Sequence, residues 1–221
     1  MTARFLPSPL DSFGKQGASQ NDEQGIIAAL IDRIDLKPSF VEFGVHPWQG
    51  NCLFLRCWGW DGLFMDAEQK APYIKNEWIT PGNIMELFSK YGVSQDLGVL
   101  SIDIDGQDFY VWQAITISPA VVVIEYTGTL PTDRALIMPR NDDFVVTPGR
   151  QSYGASLLAI NLLARRKGYH LVYANGVNAF FVRNDLLLNP QDFVYDRIAR
   201  MWPTEHVKDP AALGFTELKF N

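Results

Sequence analysis

Apolar side chains recur along this chain with two different periods, and the switching between them predicts the architecture. Between 22 and 34, Ile26, Ile27, Leu30, Ile31 and Ile34 fall three or four positions apart, which makes one face of a helix apolar, with Asn21 or Asp22 as its N-cap. After Lys37-Pro38, the run Phe40-Val41-Glu42-Phe43-Gly44 predicts a buried strand entering a glycine turn. Residues 51–58 predict a helix, and Gly62-Leu63-Phe64-Met65-Asp66 predicts a second strand that ends in an acid. Trp78-Ile79 predicts a third, short strand, followed by a Thr80-Pro81-Gly82-Asn83 turn and a helix over 84–91. The aspartate-rich stretch from Leu100 predicts a fourth strand, 109–116 a helix, and Ala120 to Glu125 a strongly apolar fifth strand.

Strands alternating with helical stretches predict βαβ units and a parallel sheet. The last third reads differently. Residues 153–167 predict a helix with Leu157, Leu158, Leu162 and Leu163 on its inner side and Gly168 as its stop. The β-rich runs 169–173 and 179–183 flank Asn175-Gly176, a hairpin turn signal. The expected class is therefore α/β: a Rossmann-like, mostly parallel central sheet closed by an antiparallel C-terminal hairpin, with helices on both faces. Residues 1–20, rich in Pro, Ser and Gly, predict a flexible N-terminal arm, and 21–221 a single domain. Residues 126–150 predict a long irregular excursion of the kind that forms lids and binding loops.

Composition narrows the partners. At 221 residues and 47% hydrophobic, the chain has enough apolar surface for one sizeable core. A net charge of −6 without blocks of like charge argues against nucleic acid and anionic membranes, which call for a basic face. No apolar run approaches the roughly 20 residues needed to cross a bilayer, and residues 1–20 lack a signal-peptide core, so a soluble cytoplasmic protein is expected. Cys52 and Cys57, without a companion His/Cys cluster, imply neither a zinc site nor a disulfide framework. The aromatic surplus, with six Trp, suggests a lined cleft or a subunit contact as readily as extra core, and makes a homodimer reasonable.

The candidate chemistry lies at the strand ends. In open α/β sheets ligands bind beyond the carboxyl ends of the strands, where the strand order reverses. Acids close several of the predicted strands: Glu42, Asp66, Asp103 with Asp105, and Glu125. Period-two geometry puts Asp103 and Asp105 on one side of an extended segment, where they repel unless a cation, a proton or a substrate hydroxyl stands between them. Asp103, Asp105 and Asp108 are a candidate oxygen set for Mg²⁺, with the start of the next helix the favoured assignment for Asp108. Asp66 suits a ribose diol, because one carboxylate accepts two hydroxyl hydrogen bonds. Gly44 lets backbone approach a ligand closely. His46 is a second candidate base, and equally a histidine that hydrogen-bonds the turn. The turn has no phosphate-binding glycine pattern and Pro47 lacks an N–H, so a nucleoside without phosphates fits better than a dinucleotide. S-adenosylmethionine has that description.

These residues, in this order, resemble the FkbM-type branch of the S-adenosylmethionine-dependent methyltransferases. The series comprises Gln20-Asn21-Asp22-Glu23, Phe40-Val41-Glu42-Phe43-Gly44-Val45, Gly59-Trp60-Asp61-Gly62-Leu63-Phe64-Met65-Asp66, Leu100 to Asp108, Val121 to Tyr126, Tyr153-Gly154-Ala155-Ser156-Leu157 and Asn178 to Arg183. It spans about residues 20 to 185. The resemblance implies a methyltransferase fold and O-methylation of a small hydroxylated acceptor such as a sugar. It also implies Glu42 and Gly44 beside the cofactor, Asp66 on the ribose hydroxyls, and Asp103 with Asp105 facing donor methyl and acceptor. Where relatives carry a second glycine soon after Gly44, this chain has His46-Pro47-Trp48. Two other readings compete. Asp103-Ile104-Asp105 also matches the metal-holding DxD of nucleotide-sugar glycosyltransferases, and a degenerate fold of this kind can serve as a non-catalytic binding module.

Overall fold

In the computed structural model, residues 10–14, 17–147, 152–187 and 207–220 are described. The apolar runs become seven strands of one mixed sheet: β1 (Ser39–Phe43), β2 (Asp61–Asp66), β3 (Ile74–Asn76), β4 (Val99–Ile102), β5 (Val121–Glu125) and, later in the chain, β7 (Tyr169–Ala174) and β8 (Asn178–Arg183). Their order is β3-β2-β1-β4-β5-β8-β7. The first five run parallel, and β8 and β7 are antiparallel. The hairpin thus closes the sheet as expected, its turn made by Asn175 with Gly176 at φ +97°.

Alternation along each strand splits the core into two layers. Val41, Phe43, Met65, Leu100, Ile102, Val122 and Ile124 face α3 (Ile84–Lys90), α4 (Asp108–Ala114) and α5 (Leu157–Arg166). Phe40, Phe64, Val99, Val121 and Val123 face α1 (Glu23–Ile31) and α2 (Leu53–Cys57). Helices therefore cover both faces. The α5 start is a side-chain cap, Ser156 Oγ accepting from Ala159 N at 3.3 Å.

Two expectations are corrected, and a third gains structural detail. The third strand is Ile74–Asn76, not Trp78-Ile79. An edge strand with one buried residue, Ile74, gives almost no apolar signal, whereas Trp78 is half-exposed and sends its indole N–H to Asp142 O at 2.9 Å. Within the stretch expected as a flexible arm, Leu10–Phe13 form a 3-10 turn with Leu10 buried and Phe13 under the Arg33 guanidinium, and Ala18 O accepts from Gly50 N in the turn after β1. Residues 1–9, 15 and 16 of that stretch lie outside the described residues. Finally, the excursion carries a two-residue strand, β6 (Leu136–Ile137), paired antiparallel with β9 (Thr216–Glu217). That pairing builds a satellite core of Leu130, Leu136, Met138 and Phe215. Residues 148–150 of the excursion lie outside the described residues. Among the described residues, no helix is long and apolar enough to cross a membrane.

Candidate functional site

Strand order reverses between β1 and β4, because β1 leads outward to β2 and β3 while β4 leads the other way to β5. A cavity of ≈ 560 Å³ opens at the carboxyl ends of these strands. Gly44 from β1, Asp66 from β2, Asp103 and Asp105 after β4, and Glu125 from β5 all line it. Four strands thus deliver their terminal polar groups to one space.

At Gly44 the backbones that leave β1 and β4 come close together. The Gly44 φ is +71°, and a Cβ there would sit 1.4 Å from the Asp103 carbonyl oxygen. Bare backbone is therefore required at this position for steric as well as torsional reasons. Beside it, Asp66 is 7% exposed. Its Oδ1 accepts from Glu68 N at 2.8 Å and its Oδ2 from Lys70 Nζ at 3.1 Å. Two carboxylate oxygens offer about four acceptor positions, so capacity for a diol remains.

The aspartates converge by a different route from the strand pleat. β4 ends at Ile102, and the chain then curls, with Asp105 at φ +57°. Asp108 makes the curl: its Oδ1 accepts from Ile104 N at 2.8 Å and its Oδ2 from Gly106 N at 2.9 Å. Both oxygens of Asp108 are thus committed to backbone, the residue is buried, and it stands apart from the cavity wall. In its place Glu125 completes the carboxylate set, one oxygen each of Asp103, Asp105 and Glu125 lying within 4.8 Å of one another. Tyr153 donates its hydroxyl to Asp105 Oδ1 at 2.9 Å. This set, rather than Asp103, Asp105 and Asp108, brings together the three carboxylate oxygens that a hard cation would need.

The charge lining the cavity is almost all negative. Lys70 is the only lysine or arginine among the described cavity-lining residues, and it is paired with Asp66. Desolvation, then the neighbouring acids, push the Asp103 and Glu125 carboxyls well above the ordinary range. The same causes raise the Tyr153 phenol, which therefore stays a donor at neutral pH. Among the described lining residues, no lysine or arginine stands at the Asp103 end to meet a diphosphate, which speaks against the glycosyltransferase reading.

Two expected residues serve the scaffold. Glu42 is buried; its Oε1 accepts from Asn51 N at 2.6 Å and its Oε2 from Cys52 N at 2.9 Å, so it anchors the glycine turn and the start of α2 from behind. His46 is exposed, bridges to Gln49 and accepts from Trp48 N at 3.4 Å, outside the cavity wall. Nothing in this geometry presents it to a reacting group. Sequence reasoning left Trp78, Phe144 and Gln20 out of the site, yet all three line the cavity. Phe144 packs on Gly106, where a Cβ would come within 2.7 Å of its ring. No short-range pattern marks these three, because they come from loops far apart in the chain.

The buried acids set a pH dependence of stability. Burial raises Glu42 from 4.5 to about 7 and Asp108 from 3.8 to about 6. An acid whose folded pKa exceeds its unfolded value stabilises the fold fully below the unfolded value and loses that contribution as pH rises through the folded one. Taking the cation-free protein from pH 8 to pH 6 is therefore expected to raise its unfolding free energy by roughly 1–2 kcal/mol. Urea denaturation at the two pH values measures this; stability that is flat or falls on acidification contradicts it.

Comparisons with family models, with curated proteins and with solved structures returned no match for this chain.

Proposed function

We propose that this protein is an S-adenosylmethionine-dependent methyltransferase of the FkbM type acting on a small hydroxylated acceptor such as a sugar. One observation carries the reading: Gly44, Asp66, Asp103, Asp105 and Glu125, from four strand ends flanking the switch point, share one cavity. Had Asp66 and Asp103 faced opposite ends of the molecule, no single nucleoside could engage both. The residues fit the cofactor. Gly44 leaves backbone open, Asp66 has acceptor positions for two ribose hydroxyls, and the carboxylate-rich wall suits a cation. When bound, S-adenosylmethionine supplies a methyl group on a positively charged sulfur.

The remaining work falls to the chain. A sugar hydroxyl must lose its proton as it attacks, and Asp103 or Glu125, whose carboxyls burial and then the neighbouring acids hold well above the ordinary range, lines the cavity where the ionised form can take it. Tyr153 fixes Asp105 through its hydroxyl. Trp78 and Phe144 line the cavity and offer aromatic surface against which an acceptor can pack. Asp103, Asp105 and Glu125 would hold Mg²⁺ if the enzyme uses one, and it would acidify a bound hydroxyl.

Calorimetry with S-adenosylhomocysteine tests the reading. Saturable binding is expected, weakened tenfold to a hundredfold in Asp66→Ala, since hydrogen bonds to a charged group contribute about 1.5–3 kcal/mol. Absence of binding at millimolar ligand, or an Asp66→Ala variant that binds like the parent, refutes it.

A further inference from the structure

One wall of the cavity comes from the segment that precedes α1. Gln20, which lines the cavity together with Gly44, belongs to a strap of residues 17–20 that crosses the glycine turn. The strap holds that turn by a backbone bond, Gly50 N donating to Ala18 O at 2.9 Å. It is tied to α1 by Gln24, whose Oε1 accepts from Ala18 N at 2.9 Å and whose backbone N–H donates to Ser19 Oγ at 3.1 Å.

Glu23 extends this local arrangement across the fold. It is fully buried, and no lysine or arginine pairs with it among the described residues. Its carboxylate instead accepts four N–H bonds: from Asn21 N at 2.8 Å, Asn21 Nδ2 at 2.9 Å, Asn175 Nδ2 at 2.8 Å and Asn178 Nδ2 at 3.1 Å. Asn175 and Asn178 flank the turn between β7 and β8. Asp22 reinforces the junction, accepting from Tyr173 Oη at 2.7 Å and Asn175 Nδ2 at 2.6 Å. Asn178 in turn stands opposite Glu125 in the β5–β8 register. A buried carboxylate without a cation is tolerated only when its lone pairs are met, so these partners hold one another in a single arrangement. The result joins the strap, the hairpin and the strand bearing Glu125.

We propose that Glu23 is a positioning residue for the cavity. By tying strap to hairpin it holds Gln20 and the glycine turn in place as a wall of the methyl-donor half. It touches neither donor nor acceptor. The ligand named in this inference rests on the methyltransferase reading; the strap geometry does not.

The test uses the full chain and two variants. Glu23→Gln puts an amide against amide donors and loses part of the network. Gln24→Ala releases the strap at its other end without touching the buried carboxylate, so it remains informative if the first variant folds poorly. Two quantities are read below the unfolding transition: exchange of the Gly50 amide by NMR, and S-adenosylhomocysteine affinity by calorimetry. Both variants are expected to exchange Gly50 at least tenfold faster, with the Val122 and Ile124 amides unchanged. Affinity should fall at least tenfold in Glu23→Gln and at least threefold in Gln24→Ala. A merely structural role lowers the melting temperature and leaves the affinity of the folded protein alone; that result, or unchanged Gly50 exchange, overturns the proposal. If the parent protein does not bind the ligand, the methyltransferase reading fails, and Gly50 exchange alone then decides whether Glu23 governs the strap.

Discussion

Gly44→Ala is expected to lose S-adenosylhomocysteine binding altogether and to destabilise the protein by about 3 kcal/mol or more. Two effects add. A non-glycine residue at φ +71° carries backbone strain, and the new methyl would lie 1.4 Å from the Asp103 carbonyl oxygen, an overlap with backbone that no rotamer relieves. Relief requires the ends of β1 and β4 to part, and Asp103 moves with them. Urea unfolding and calorimetry read both effects. Parental stability together with parental affinity would show that the two strand ends are not in contact at this point.

Asp103→Asn is expected to do the opposite to stability. Asp103, Asp105 and Glu125 hold carboxylate oxygens within 4.8 Å of one another, and no lysine or arginine neutralises Asp103 or Glu125 among the described residues. Replacing this desolvated, repelled carboxyl with a neutral amide relieves both penalties, so at pH 8 the cation-free variant should gain at least about 1 kcal/mol, or roughly 2–4 °C in melting temperature for a chain of this size. At the same time, any thermal stabilisation that millimolar Mg²⁺ confers on the parent should vanish in the variant. A site that costs stability and is kept for chemistry behaves in this way. If Asp103→Asn melts below the parent without cation, the carboxylates are better satisfied than their geometry indicates. A Mg²⁺ response that survives in the variant would place the cation elsewhere.

The sheet was legible because its strands are buried on both faces. Runs such as Val121-Val122-Val123-Ile124 leave few alternatives to a central parallel strand, and Asn175-Gly176 has few alternatives to a hairpin. Edge elements were not, since Ile74–Asn76 buries one side chain, β6 buries both residues but is too short to show a period, and both residues of β9 are exposed. The acids at the strand ends stood out by type and position. Their division of labour did not. Glu42, Asp108 and Glu23 carry the same carboxyl group as Asp66 and Asp103, yet their oxygens are filled by backbone or amide N–H groups from residues 2 to 155 positions away. Whether a carboxylate caps a loop or faces a cavity depends on which donors arrive beside it.

By itself, the order of apolar and polar residues determined an α/β chain with a mostly parallel sheet, a closing hairpin, a glycine at the first turn and acids on one rim, because periodicity and backbone torsion are properties of neighbouring residues. Tertiary structure alone decided that Glu125 rather than Asp108 joins Asp103 and Asp105, that His46 stands outside, and that a strap from before α1 walls the cavity. Each of those outcomes is a meeting of segments distant in the chain, and it is settled by which hydrogen-bond donors and which apolar surfaces are left over once the sheet has formed.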